Sequence, residues 1–513
     1  MDQQQQPNVL FIAVDDLRPF LGCYGDTNAH TPHIDALAQQ GVLFSNAMCT
    51  APACGPSRAA IMTGQLPTKT GLYGFQDWAG RQDFAHYITL PEYFRQHGYQ
   101  TFASGKIHHN SLRVHSYTQQ AVDINKASDD PELTVMVPRA DREWDANNVA
   151  VVREAKYNHA PCIPDSIDWS GGGREGLTKN SVKLVSGPSD DAVMDCQDGV
   201  TTRFGIDVLK QQHQRPFFLA LGFVRPHLPF IAPRKYFAHY PLDSLALHPI
   251  KDDDLADSPW VARRNARIQD DINIRKADPR GRERVIQAYY ACASFVDDMV
   301  GMILSELQQS PYADNTIIAF WSDHGWHLGE KRSWRKFSLW EESARTPMII
   351  VDPRRKESAG QTCQRPVGLL DLYPTLTDLC GLPVPDNLDG VSLGPLLAKP
   401  NADSPELRAP EFTIQGRGNY SLRDEEWRYT RYFDGGEELY NHQNDPYEWT
   451  NLANDPASQA VKARFVSLLP IESAPTVVPR GLSNWADLEK EDMEQFKTEV
   501  WPRWLQESVP PLL

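Results

Sequence analysis

Short apolar runs of strand length, bounded by turn residues and separated by helical patterns, decide what this chain can fold into. Val9–Val14, Gln100–Ala103, Phe217–Phe223 and Thr316–Trp321 are such runs, and Met348–Val351 is a fifth. They read as strands buried on both faces, the pattern of a parallel sheet. Between them the period changes. Thr31–Gln40 opens on Thr-Pro, a helix start, and Leu90–His97 stops at Gly98. Val285, Ile286, Tyr289, Cys292, Val296, Val300, Ile303 and Leu307 form the apolar stripe of a long amphipathic helix. Strands alternating with helices predict an α/β fold: a large, mostly parallel sheet flanked by helices.

At 513 residues the chain is too long for one simple core. A Pro-containing polar stretch near 399–410 sets off a tail with strand patterns at Phe412–Ile414 and Trp427–Phe433 and a helix pattern at Ala486–Phe496. The expectation is a main domain over 1–400 and a smaller α+β subdomain over 401–513, with a small antiparallel sheet and a helix. The polar segment 120–200, which contains Gly171-Gly172-Gly173, and the charged segment 250–284 read as surface insertions with solvated faces. The eight cysteines show no CxxC pair and no zinc-like spacing; Cys363 with Cys380, or Cys162 with Cys196, are candidate disulfides, and buried free thiols are the alternative.

The net charge of -16 is diffuse, which argues against a nucleic-acid or anionic-membrane binder but leaves room for a local basic pocket. No run reaches the roughly 18 apolar residues of a transmembrane helix. The polar start, Met1-Asp2 followed by Gln3–Gln6, looks like an added Met before a mature terminus. It favours a periplasmic or secreted protein whose leader has been removed, with the cytoplasm as the alternative. The sequence leaves the oligomeric state open.

In open α/β sheets ligands bind beyond the carboxyl ends of the strands. Asp15 and Asp16 follow the first run, Gly105-Lys106-Ile107-His108-His109 the second, Arg225-Pro226-His227 the third and Ser322-Asp323-His324-Gly325 the fourth. A single Asp there is usually a turn or helix cap, and a single His a satisfied structural residue. Four ionisable ends on one edge are harder to explain structurally. The carboxylates suit a hard cation, which would also relieve their mutual repulsion. Lys106, His108, His227 and Arg58 supply the donors that an oxyanion of sulfur or phosphorus needs.

The remaining segment is Cys54-Gly55-Pro56-Ser57-Arg58, where Pro56 marks a helix start. Cys54 would sit at the helix N-terminus, with Arg58 one turn further on the same face. From the residues alone this is either an activated thiol beside an arginine or a buried cysteine by an ordinary helix.

Cys54-Gly55-Pro56-Ser57-Arg58 matches the C-x-P-S-R signature of type I sulfatases in the alkaline phosphatase superfamily, and Leu66-Pro67-Thr68-x-x-Gly71 resembles the stretch that follows it. The likeness extends to Pro7–Asp16, Thr31–Phe44, Gly105–His108, Pro226-His227-x-Pro229, Asp323–Gly329 and Asp445-Pro446. Ser322–Glu330 with Lys336 resembles the iduronate-2-sulfatase branch. The resemblance implies that Cys54 is oxidised to formylglycine by a formylglycine-generating enzyme or an anaerobic maturase. It implies that Asp15, Asp16, Asp323, His324 and the modified Cys54 hold a divalent cation, Ca2+ before Mg2+. Asp323 would also deprotonate the aldehyde hydrate. Arg58 would hold the hydrate, Lys106 and Lys336 the sulfate oxygens, and His108 would take the proton when sulfate is expelled. His227 would protonate the leaving alcohol. Many members have Asn where this chain has His324, and imidazole is a softer ligand than calcium usually takes.

The implied activity is removal of sulfate from a sulfated carbohydrate, with candidate pocket residues Trp78, His109, His327, Trp334, Arg335 and Arg345 chosen because Trp and Arg suit a sugar face and its acid groups. The rivals are a phosphodiester or phosphonate monoester hydrolase of the same superfamily and a non-catalytic sulfated-glycan-binding relative.

Overall fold

The computed structural model describes residues 6–76, 78, 82–109, 119–120, 167–168, 184–190, 192–401, 410–477 and 494–503. Up to residue 401 the strands are β1 (Asn8–Val14), β2 (Val42–Met48), β3 (Gln100–Gly105), β4 (Gln119–Gln120), β5 (Ile167–Asp168), β6 (Val185–Ser189), β7 (Phe217–Phe223), β8 (Phe230–Pro233), β9 (Thr316–Ser322), β10 (Arg345–Val351) and β11 (Gln361–Gly368). The main sheet has the order β11-β2-β10-β9-β1-β7-β3-β4. All its pairings are parallel except those of β10, which runs antiparallel to both β9 and β2. This is the expected α/β architecture. β5, β6 and β8 form a small side sheet.

Strand β1 shows why the central runs are apolar throughout. Successive side chains point to opposite faces. Leu10, Ile12 and Val14 pack with Tyr289, Val296 and Val300 of the 29-residue helix Gly281–Gln309. Val9, Phe11 and Ala13 pack on the other side with Ile61, Met62 and Tyr373. A strand between two helical layers has no wet face, so alternation disappears. The flanking strands β2 and β11 escape a reading by apolar runs, because Ser45 and Asn46 are only half-buried and Gln361, Thr362 and Gln364 are exposed.

The tail forms a four-stranded antiparallel sheet: β12 (Glu411–Ile414), β13 (Tyr420–Arg423), β14 (Trp427–Arg431) and β15 (Glu437–Asn441), in sequential order. Two of these, β12 and β14, are read from the sequence. The sheet is tied to the main domain just ahead of Cys54: Ile414 N donates to Thr50 O at 2.8 Å and Thr413 Oγ1 to Cys49 O at 2.7 Å. The helix expected at Ala486–Phe496 lies mostly outside the described residues, as do most of 120–200 and Cys162. Cys363 and Cys380 are buried free thiols, so that candidate disulfide is absent. Among the described residues no helix is long and apolar enough to cross a membrane.

The segment 250–284 corrects the sequence reading. It is a solvated charged face only in part: Asp252, Asp253, Asp257, Arg267, Arg275, Lys276 and Arg284 are exposed, and three of its acids are interior. The short helical turn Asp254–Asp257 brings Asp254 inward and helix Gln269–Ala277 brings Asp270 and Asp271 inward, all at most 4% exposed. Their partners come from 331–335: Lys331 Nζ donates to Asp254 at 2.8 Å, Trp334 Nε1 to Asp271 at 3.0 Å and Arg335 Nε to Asp270 at 2.5 Å. A charge run becomes interior when its counter-charges lie elsewhere in the sequence, and that pairing offsets its desolvation.

Candidate active site

The carboxyl ends of β1, β3, β7 and β9 meet at one edge. Asp15 N donates to Phe223 O at 3.0 Å, which locks the exit of β1 to that of β7. The chain then turns at Asp16 in the left-handed region, φ 61°, a costly place for a side-chain residue that the surroundings must hold. They do: Tyr289 Oη donates to Asp16 O at 2.7 Å, Leu17 N to Ser322 Oγ at 2.9 Å and Asp16 N to Asp323 Oδ1 at 3.2 Å. On β3, Gly105 has φ 77°, and a Cβ there would lie 2.0 Å from Gly222 O. Only glycine lets β3 come that close to β7 while Lys106 turns into the site.

Helix Cys54–Thr63 starts without a side-chain cap, from an extended Ala53. It is fixed instead to the end of β9: Ser57 Oγ donates to Asp323 O at 2.6 Å and Arg58 Nε to Asp323 Oδ2 at 2.7 Å. Arg58 also reaches Asp15 at 3.5 Å and Ile107 O at 3.3 Å. At the first position of the helix, Cys54 Sγ lies 2.9 Å from Lys336 Nζ, 3.3 Å from His324 Nε2 and 3.8 Å from Asp16 Oδ1. Lys106 bonds Asp15 and Lys336 bonds Asp16. Asp15, Asp16, Cys54, Arg58, Lys106, His227, Asp323, His324 and Lys336 thus share one cluster, and all except the half-buried His227 are buried.

The charges here are strongly biased. Burial pushes Asp15 up, but Lys106, His227 and Arg58 outweigh it and hold the carboxyl well below the usual carboxylate range. Asp16 goes the other way: burial raises it to about 8, helped by Asp15 and Cys54 and opposed by Lys336. Burial and Asp15 push the Cys54 thiol up, yet Lys106 and Lys336 bring it below its ordinary value. Burial depresses His324, but Asp323 and Cys54 lift it to about 9. Burial holds His227 well below the ordinary imidazole range. Backbone carbonyls fix both rings: His324 Nδ1 faces Gly325 O at 2.9 Å and His227 Nδ1 faces Leu228 O at 2.7 Å. A carbonyl only accepts, so each Nδ1 carries the proton and each Nε2 faces the acids.

Candidate ligand atoms of Asp15, Cys54, Asp323 and His324 lie within 4.8 Å of one another, and so do those of Asp15, Asp16, Cys54 and His227. Asp16 Oδ2 is buried and has no hydrogen-bond partner. An orphaned carboxylate oxygen among three crowded acids fits a hard divalent cation. The carbonyl behind His324 is the outer partner that a ligating imidazole usually has.

The other sequence candidates separate. His108 is buried, with its ring 6.5 Å from that of Trp78, which is itself buried against Phe84. His109 lies 4.8 Å from the exposed ring of Phe75, and burial and Lys106 lower it to about 3. The expected sugar-facing roles of His327, Trp334, Arg335 and Arg345 do not fit where these residues sit. His327 is enclosed, 2.7 Å from Ser338 Oγ and edge-on to Trp340. Trp334 and Arg335 are buried on Asp271 and Asp270. Arg345 opens β10 and donates to Ser45 O at 2.7 Å. Sequence reasoning missed Phe75 and Phe337, whose rings meet edge to face at 6.0 Å. It also missed Tyr289, the donor to Asp16 O. None of them follows a strand, so the search along strand ends had no signal for them.

Acids for a cation, fixed donors for a tetrahedral oxyanion and a nucleophile position at a helix N-terminus define a class, the hydrolases that cleave such esters. Within it, the Sulfatase family model matches residues 7–382, and the model described as N-sulphoglucosamine sulphohydrolase, C-terminal, matches 329–472. A sulfatase of Formosa agariphila is 35% identical over 91% of this chain and 87% of its own length. Mouse (Mus musculus) iduronate 2-sulfatase is 32% identical over 74% of this chain and 69% of its own length. The solved phosphonate monoester hydrolase from Silicibacter pomeroyi superposes with a TM-score of 0.69 at 23% identity, covering 90% of this chain and 94% of that one, a likeness of fold. The chain belongs to the sulfatase family, with its alkaline-phosphatase-like fold, and is a sulfuric ester hydrolase.

Proposed function

We propose that this enzyme removes sulfate from a sulfated carbohydrate, with side chain 54 oxidised to formylglycine and a divalent cation, Ca2+ before Mg2+, held by Asp15, Asp16, Asp323 and His324. The observation that carries the reading is the placement of Cys54 Sγ at the start of its helix, beside Lys336, His324 and the orphaned Asp16 carboxylate. Calcium is preferred for the oxygen-rich donor set. The relative named iduronate 2-sulfatase supports a sugar substrate. Residues 1–400 are taken as the catalytic domain and 401–513 as its subdomain, in a periplasmic or secreted protein. Maturation at position 54 falls to a formylglycine-generating enzyme or an anaerobic maturase.

When bound, the cation supplies charge neutralisation for the nucleophilic and sulfate oxygens. Hydrated, side chain 54 supplies a geminal diol, one hydroxyl of which attacks sulfur while the other later releases sulfate by re-forming the aldehyde. Asp323 accepts a proton from that diol, and Arg58, held at 2.7 Å by the same carboxylate, orients it. Lys106 and Lys336 take the sulfate oxygens, and His108 receives the second hydroxyl's proton. His227 Nε2, on the side facing Asp16 Oδ2 at 3.9 Å, protonates the leaving alcohol. Burial works against that acid role, while the negative charge of a bound sulfate ester works for it.

His227→Ala therefore lowers kcat for sugar sulfates by about 100-fold or more and for good aryl leaving groups by less than about 10-fold. Equal losses on both substrates remove His227 from the acid role. The reading as a whole is tested by mass spectrometry of the peptide around position 54, from protein made in its own host, with parallel turnover of sulfate, phosphodiester and phosphonate esters. An aldehyde or its hydrate together with sulfate release from sugar sulfates is the expected result. An unmodified thiol, or a clear preference for phosphorus esters, refutes it.

A further inference from the structure

Arg267 ends helix Trp260–Ala266 in the left-handed region, φ 53° and ψ 50°, where glycine or asparagine is the ordinary choice. Its guanidinium carbon lies 4.5 Å from the centroid of the Phe337 ring. Phe337 is itself left-handed, φ 77°, and a bulky residue holds that conformation only where its surroundings impose it. Phe337 N donates to Pro52 O at 3.0 Å, two residues before Cys54. The same ring lies 6.0 Å from Lys336 Nζ, whose ammonium touches Cys54 Sγ. One aromatic ring therefore lies within 6.0 Å of both a cation at the nucleophile and a second, exposed cation. On its remaining edge, at 6.0 Å, is Phe75, 45% exposed and tilted on His109.

Among the described residues, no ion pair balances the charge on Arg267. Asp270 is the acid that acts on it, and Asp270 is already bound by Arg335 Nε at 2.5 Å. Crowding by protein, then the Arg335 cation, lowers Arg267 to about 10, although the residue is exposed. An exposed arginine that is stacked on a ring, and whose facing acid is already bound by another arginine, is suited to a planar or tetrahedral oxyanion.

We propose that Arg267, stacked on Phe337, is a specificity residue that binds a second anionic substituent of the substrate, a carboxylate or a further sulfate, while Lys336 and position 54 engage the scissile sulfate. Phe75 and His109 then offer an apolar face to the sugar ring between the two charges. This rests on the sulfatase reading above and narrows its substrate to sugars with at least two negative groups.

The test uses the matured, metal-loaded enzyme and three defined substrates: a sulfated uronic acid saccharide, a disulfated neutral sugar and a monosulfated neutral sugar. For Arg267→Gln, the ratio of kcat/KM for a doubly charged over the singly charged substrate falls about 10- to 100-fold, mostly through KM. Arg267→Lys recovers part of it. A drop confined to the uronic acid identifies a carboxylate, and a drop confined to the disulfate identifies a second sulfate; either supports the proposal. An unchanged ratio, with all three substrates falling together or none falling, overturns it and leaves the sulfatase reading standing. A wild-type enzyme inactive on all three refutes both.

Discussion

Cys54→Ala lowers sulfate-ester turnover by at least about four orders of magnitude and leaves the melting temperature within a few degrees of wild type. Loss of a covalent nucleophile typically removes all chemistry that binding alone does not supply. The fold survives because alanine is a good helix former and because the helix is held by Ser57 and Arg58 rather than by position 54. Lys336 keeps its ion pair with Asp16, so no buried charge is orphaned. Steady-state turnover alongside circular dichroism decides the matter, and retained activity in a folded variant sinks the nucleophile assignment. Cys54→Ser is the sharper companion. A serine hydroxyl attacks sulfur but lacks the second oxygen that expels sulfate, so at most one turnover per chain is expected.

The second large effect is at Asp323. Its side chain takes Arg58 Nε at 2.7 Å and Asp16 N at 3.2 Å, and its backbone carbonyl takes Ser57 Oγ at 2.6 Å. Asp323→Ala would take from the buried Arg58 the nearer of its two carboxylates and leave it only Asp15 at 3.5 Å, and breaking a buried pair costs up to about 3–5 kcal/mol. Asp323→Asn keeps the shape and removes the charge, so it separates ligation from folding. Elemental analysis after dialysis is expected to show loss of the bound divalent ion, and kcat/KM falls by about three orders of magnitude or more. A folded Asn variant that keeps both metal and activity removes Asp323 from the ligand set.

Both residues are visible in the sequence for one reason: each lies where an element begins or ends. Asp323 follows a continuous apolar run, and Cys54 precedes a helix marked by Pro56. Such positions survive reading without coordinates because a strand's period and a helix's start signal are local properties of the chain. The outer pocket has no such anchor. Whether Trp334 faces a sugar or the core depends on Asp271, and for His327 the deciding partner is Ser338. For Arg335 and Arg267 the outcome turns on which of them Asp270 binds. Tertiary pairings of that kind leave no trace in composition or spacing. The same cause drew Asp254, Asp270 and Asp271 of the charged run at 250–284 from an expected surface into the interior, and the polar side chains of β2 and β11 hid two strands of the main sheet.

Position 54 is 1% exposed, closed in by the exit loops of the strands and backed by the segment to which the tail sheet is bonded. Among the described residues, nothing leaves that sulfur open to a second protein once these layers have come together. Under the proposed formylglycine reading, oxidation at position 54 would fall on the nascent or still-extended polypeptide, in competition with folding. On that reading the share of active molecules is decided during biosynthesis, and a chain that folds too soon stays inert.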